Sequence, residues 1–351
     1  MSAPVPYAEL DGMTNFSFLE GASRAEELSA MTAVLGLHSF GVADRNTLAG
    51  VVRMLRAKKT TGADFHVGCR LVFTDGTALI VYPRDRAAYG RLCRLLSEGK
   101  RPAPKGECWI TFEQAAALSE GLIALAPAQA TPPAELEPRL ARWAAAWPDE
   151  LYLAAAPLHR GDDRARLAAL AVVADRTGAP LVATNAVRLH VPERRPLADV
   201  LTCIREKVTI TEAGWRLEAN AERHLKPGSE MLRLFRDHPD AVARTVEIAG
   251  RLRFDLRELR YEYPDEPIPP GKTAQQHLED LTWRGAAFHF PAGLRPQDEA
   301  TIRKELRIIQ RMDIAKYFLT VHEIVEFARS RGILCQGRGS AANSIVCYCL
   351  G

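Results

Sequence analysis

The chain has 351 residues, enough at about 150 residues per domain for two or three domains. Hydrophobic residues make up 47% and charged residues 25%, which excludes a disordered tail and a collagen-like repeat. The net charge of +3 is too small to argue for nucleic acid by itself, and no apolar stretch approaches the ~20 residues that span a bilayer.

Taken in chain order, the opening Met1-Ser2-Ala3-Pro4-Val5-Pro6 has no basic residue before an apolar run, so no signal peptide is expected. Ser23 and Glu26 form the S-x-x-E pattern of a capping box, predicting a helix with Leu28, Met31, Val34 and Leu35 on one face and its end near Gly36. A strand follows over 40–43. Residues 71–73 and 78–82 flank Thr74-Asp75-Gly76-Thr77, an Asp-Gly hairpin signal. Further strands are predicted over 122–125, 151–154 and 180–184, the last after an Ala-rich helix over 164–177 with Asp162-Asp163 as its cap. Between them, 126–138 is rich in Ala and Pro and reads as an excursion. Alternating strands and helices predict an α/β sheet or barrel over the first 190 or so residues.

Beyond Val191 helices dominate, the clearest over 241–252. The segment 263–271 packs four prolines into nine residues and is the best domain boundary. Three helices are predicted after it: 274–288, 298–312 with Ile302, Leu306 and Ile309 on one face, and 320–331 with Val321, Ile324, Val325 and Ala328.

The strongest local chemistry lies in Ile333-Leu334-Cys335-Gln336-Gly337-Arg338-Gly339-Ser340-Ala341-Ala342-Asn343-Ser344. A short apolar strand is predicted to run into glycines, a serine and a helix pattern ending at Leu350. Unpaired N–H groups at such a helix start suit a phosphate, Arg338 adds a charge-assisted donor and Ser340 a hydroxyl. A turn whose glycines solve only a steric problem is the other reading. A Walker A loop is excluded by the missing lysine, and Gly337-x-Gly339-x-x-Ala342 fits a dinucleotide pattern only formally. No histidines are paired at metal-ligand spacing, no Asp-x-Asp occurs, and Cys347-x-Cys349 would point to different helix faces. Among 300–340, eight Arg/Lys stand against four Asp/Glu, a charge balance that suits a polyanion or a solvated helix face. The seven cysteines lack any C-x-x-C pair, so reduced thiols and a cytoplasmic location are expected.

Several segments together resemble bacterial C-family DNA polymerases. Tyr7-Ala8-Glu9-Leu10 through Asn15-Phe16-Ser17-Phe18-Leu19-Glu20-Gly21-Ala22-Ser23, Asp44-Arg45-Asn46-Thr47-Leu48-Ala49-Gly50 and Leu181-Val182-Ala183-Thr184-Asn185 carry the likeness. The runs 192–205 and 219–226, with the segment Cys335–Ser344, narrow it to the damage-inducible, error-prone branch. The resemblance implies a PHP (polymerase and histidinol phosphatase) domain, a distorted β/α barrel, over 1–265. Its barrel core would occupy about 1–190 and a helical extension 191–265. The helical start of a nucleotidyltransferase-like palm, incomplete, would follow over 266–351. It also implies Gly339-Ser340, with Gly337 and Arg338, as the loop that holds the triphosphate of a dNTP.

Compared with metal-binding PHP domains, the metal positions look degenerate. The first strand's His-x-His corresponds to Glu9 and Asp11, the Thr-Asp-His to Ala43-Asp44-Arg45, and later ligands to Arg70, Ala154, Ala186 and Arg188. Arginine cannot act as a ligand, so no metal is expected in this chain. Mg2+ is implied only for the intact polymerase, whose paired catalytic aspartates are expected after residue 351, leaving this chain inactive by itself. Implied partners are a DNA primer-template, a sliding clamp and mutagenesis accessory proteins, with no membrane. Two other readings stay open: a PHP-type metal-dependent phosphoesterase, disfavoured by the missing histidines, and a non-catalytic scaffold.

Overall fold

The computed structural model describes residues 5–129, 131–261, 263–265 and 267–351. Met1–Pro4, Ala130 of the expected excursion and Glu266 of the proline-rich segment lie outside them. The chain divides into two compact units, Met1–Leu259 and Arg260–Gly351, each described by itself.

The first unit is built on seven strands: β1 (Ala8–Gly12), β2 (Ser39–Arg45), β3 (Phe65–Val72), β4 (Ala78–Pro83), β5 (Leu122–Pro127), β6 (Leu151–Ala155) and β7 (Leu181–Ala183). They are neighbours in sequence order, and every pairing is parallel except the two that β4 makes. The Asp-Gly turn explains β4: Gly76 at φ 82 supplies the left-handed position that turns the chain straight back. After β7 the chain returns to β1, where Val187 N–H donates to the Asp11 carbonyl at 2.7 Å and Met13 N–H to the Val187 carbonyl at 2.9 Å. The sheet is thereby nearly closed into a barrel, distorted by a register shift in β1 between Glu9 and Gly12.

Alternate strand residues fill the barrel: Leu10, Ala43, Ile80, Tyr82, Ile123, Leu125 and Val182 are buried together. Helix α9 (Pro239–Arg251) adds Ile248 and Ala249 to that cluster. Tyr82 needs two glycines beside it. A methyl group on Gly41 would lie 2.1 Å from its hydroxyl, and one on Gly68 2.4 Å from its ring, while the hydroxyl donates to the Leu10 carbonyl at 2.8 Å. Outside the barrel run α1 (Ala25–Val34), α2 (Val51–Thr61), α3 (Arg86–Lys100), α4 (Phe112–Ala117), α5 (Pro133–Ala146), α6 (Asp163–Thr177), α7 (Arg195–Glu206) and α8 (Gly228–Leu234).

Three readings of this unit need correction. Ser23 does not cap α1: its hydroxyl accepts from His190 N–H at 2.9 Å, and the Glu27 carboxylate instead accepts from Arg24 N–H at 2.8 Å. Val34 is 76% exposed, and the helix buries Leu28, Ser29 and Thr32. The excursion at 126–138 contains the start of α5, which tolerates Pro133 in its first turn and buries Leu136, Leu140 and Trp143.

The second unit is helical: α10 (Ala274–His289), α11 (Pro296–Met312), α12 (Ala315–Ser330) and α13 (Ile345–Cys349). Helix α11 buries Ile302, Leu306 and Ile309, as its periodicity predicts. The predicted face of α12 is wrong: it buries Ala315 and Leu319 and leaves Ile324 62% exposed. Gly285 lets α10 and α13 approach, since a methyl there would fall 1.8 Å from the Cys349 carbonyl oxygen.

Candidate functional site at the barrel mouth

The C-terminal ends of the barrel strands gather most of the positions that match PHP metal ligands. Glu9 and Asp11 come from β1, Asp44 and Arg45 from β2, Arg70 from β3, and Ala186 and Arg188 from the segment after β7. Ala154 of β6 is fully buried among the barrel side chains and offers no polar atom.

Every carboxylate oxygen of the three buried acids already accepts a hydrogen bond. Glu9, 1% exposed, takes N–H bonds from Asp11 and Asn185 and the Tyr7 hydroxyl, each at 2.8 Å. Asp11 is ion-paired to Arg70 on one oxygen and accepts from Gln129 Nε2 at 3.2 Å on the other. Asp44 accepts from Thr14 N–H at 2.8 Å and from the Thr14 and Ser17 hydroxyls at 2.7 Å each. Burial, then the Asp11 charge, pushes the Glu9 carboxyl up to about 7 against its three donors. Burial also raises Asp44.

The remaining arginines form a second layer around Glu20. Arg45 pairs with Glu20 at 2.6 Å, and Arg188 lies 3.9 Å from Glu20 and 3.7 Å from Glu218. Although burial pushes the Glu20 carboxyl up, Arg45, Arg188 and Arg205 hold it below its usual range. Burial, with Arg223 beside it, lowers Arg188 to about 9, which leaves it charged at neutral pH. Arg223 bonds Glu218 at 2.7 Å and the Ala186 carbonyl at 2.8 Å, and Ala186 itself sits in the left-handed region at φ 49. The structure thus brings Asp11 to Arg70 and sets Arg45 and Arg188 on one acid, but it turns Asp44 toward the 14–17 loop. Sequence reasoning missed Thr14, Ser17, Glu20, Gln129 and Arg223; nothing in their spacing marks them, since Gln129 and Asp11 are 118 positions apart.

This donor set does not fit a bound metal. A divalent ion would have to displace the Arg70 guanidinium and compete with donors at every available oxygen, beside the further positive charge of Arg188. Among the described residues no group of three or more His, Cys, Asp or Glu side chains forms a ligand cluster.

In the second unit, the expected strand before the Gly-rich loop does not form. Residues 333–338 have no regular structure, and Leu334 is fully exposed, because this unit has no strand among its described residues to pair with. Gly339–Asn343 makes a 3-10 turn. The helix behind it is only five residues long, and its N-terminus is already occupied. The Ser344 hydroxyl accepts from Cys347 N–H, and Glu305 accepts from the Ser344 hydroxyl at 2.8 Å and Val346 N–H at 3.1 Å. Gly337, Arg338, Gly339 and Ser340 are all exposed. Any anion there would meet Arg338 and loop groups, not the N-terminus of α13.

The barrel has parallel strands interrupted by one antiparallel strand, and residues 13–152, the greater part of it, match the PHP domain family. Residues 276–351 match the bacterial DNA polymerase III alpha NTPase domain. Error-prone DNA polymerases of Caulobacter vibrioides and Rhodopseudomonas palustris are each 54% identical, over 99% and 98% of this chain. That of Brucella abortus is 52% identical over 99%. The chain is therefore similar throughout its length to the error-prone branch of the bacterial C-family DNA polymerases. It spans about a third of the length of these curated relatives.

Proposed function

We propose that these residues are the N-terminal part of an error-prone DNA polymerase that, when complete, transfers dNMP to a primer 3′ end during replication past damage and DNA repair. The 54% identity over 349 residues supports this reading most directly. In the complete protein, Gly337, Arg338, Gly339 and Ser340 would contact the triphosphate of the dNTP, and Mg2+ would be held by aspartates outside this chain. A sliding clamp and mutagenesis accessory proteins would be its partners, in the cytoplasm. No helix among the described residues is long and apolar enough to cross a membrane.

The 351 residues by themselves are inactive on this reading, because they contain no Asp-x-Asp to hold two metal ions. The PHP unit serves as a scaffold. The saturated carboxylates at the barrel mouth favour that role over phosphoester hydrolysis. Primer extension tests both statements: a polypeptide of the relatives' full length should add nucleotides with Mg2+, and the 351-residue chain should add none. Nucleotide addition by the chain alone, or its hydrolysis of a phosphoester with added manganese, contradicts the proposal.

A further inference from the structure

A groove of about 810 Å3 opens beside the barrel mouth, between the 14–20 loop and the segment that joins α3 to α4. Its two walls both present aromatic rings, and one adds ammonium groups. One presents Phe16, half-buried, and Phe18, 82% exposed; the other presents Trp109, 46% exposed, with Lys100 and Lys105 on the same side. Isolated exposed apolar residues are ordinary, but aromatic faces and ammonium groups lining one groove are not explained by packing.

The 14–20 loop is tied down by hydrogen bonds to its neighbours. Its fixing point is Asp44, the one acid of the Thr-Asp-His segment that survives, which accepts from Thr14 and twice-bonded Ser17. Arg205 donates to the Leu19 carbonyl at 2.8 Å, and Leu19 itself lies in the left-handed region at φ 60. A side chain as large as Phe18 is displayed to solvent from this hydrogen-bonded loop. Across the groove, the Trp109 indole N–H donates to Glu107 at 2.9 Å, which orients the ring. The acids in the lining are both engaged, Glu20 by Arg45 and Glu107 by Trp109. Lys100 and Lys105 are exposed and make no ion pair among the described residues.

We propose that this groove binds single-stranded nucleic acid, with bases stacking on Phe18 and Trp109 and backbone phosphates meeting Lys100 and Lys105. Aromatic faces require unstacked bases, which a duplex does not offer, and the excess of cations selects a polyanion over an apolar peptide. The inference rests on the polymerase reading only for where such a strand would come from. On it, Asp44 no longer serves a metal but fixes the loop that forms one wall.

Fluorescence anisotropy of a labelled oligothymidylate, about 12 nucleotides long, with the 351-residue chain tests this. Phe18→Ala and Trp109→Ala should each weaken binding about tenfold. Lys100→Ala with Lys105→Ala should reduce the slope of log K against log salt by about 1.4. All four side chains are exposed or nearly so, and their removal leaves the core intact. A blunt duplex of the same length should bind more weakly than the single strand. Binding that survives all four substitutions, that is lost only on Arg338→Ala, or that favours the duplex overturns the proposal. If the chain binds no oligonucleotide while a polypeptide of the relatives' length extends primers, this proposal fails and the polymerase reading stands.

Discussion

The two regions that carry family signatures are opposites in physical state. At the barrel mouth the acids are buried with their oxygens saturated, and the partly buried Arg70 guanidinium neutralises Asp11. The loop at 337–340 is exposed, and Glu305 of the same unit is spent on capping α13. The difference teaches that two stretches with equally clear family likeness can be held in opposite ways. In the first unit an internal arginine, Arg70, supplies the positive charge beside Asp11, so these side chains are part of the fold. In the second unit the side chains of 337–340 stand in solvent.

That contrast breaks most readily at Arg70. Arg70→Ala leaves Asp11 buried and 1% exposed without its countercharge, and should destabilise the chain by about 3–5 kcal/mol in urea denaturation. Arg70→Met with Asp11→Leu should recover much of that loss, since removing both charges also removes their desolvation cost. If Arg70→Ala is neutral, the guanidinium does not stand in for a cation.

The Glu9 carboxyl sharpens the same side of the comparison. Its folded pKa, about 7, lies above the unfolded value near 4.5, so the folded state binds the extra proton. Stability should therefore fall as pH rises from about 4.5 to 7 and level off above, by up to about 3 kcal/mol. Glu9→Gln should lose most of that slope. Denaturation midpoints between pH 5 and 8 measure it, and stability that rises through this window would contradict the burial argument.

The smallest effect belongs to the exposed loop. Arg338→Ala and Ser340→Ala should change the stability of this chain by no more than about 0.5 kcal/mol, because neither side chain is packed. In a polypeptide of full length the same changes should raise the KM for dNTP. A loop whose alanine variants unfold the second unit would be structural, and the contrast between the two regions would disappear.

Much of the fold is legible in the residues because local chemistry and tertiary packing agree there. The Asp-Gly hairpin, the buried face of α11 and the strands from 122 to 183 follow from turn chemistry and periodicity. Where they disagree, pattern misleads. The Ala- and Pro-rich 126–138 reads as an excursion, yet α5 starts within it and buries Leu136, Leu140 and Trp143. Ile333-Leu334 reads as a strand but finds no partner. Val321 and Ile324 have helical spacing, while the face that packs is set one turn earlier by Ala315 and Leu319. At the site, the resemblance located Glu9, Asp11, Asp44 and the arginines, but their pairings could not be read from spacing. Those pairings are made by Gln129, Glu20 and Arg223 from distant elements, and only closure of the barrel brings them together.

The central claim is that the chain's own donors and guanidinium groups occupy the place of metal ions at the barrel mouth. Elemental analysis of the untagged chain, with thermal denaturation before and after chelation, tests it most directly. The account predicts far less than one zinc or manganese per chain and an unchanged melting temperature. One or more tightly held ions per chain, with a lower melting temperature once they are removed, would contradict it.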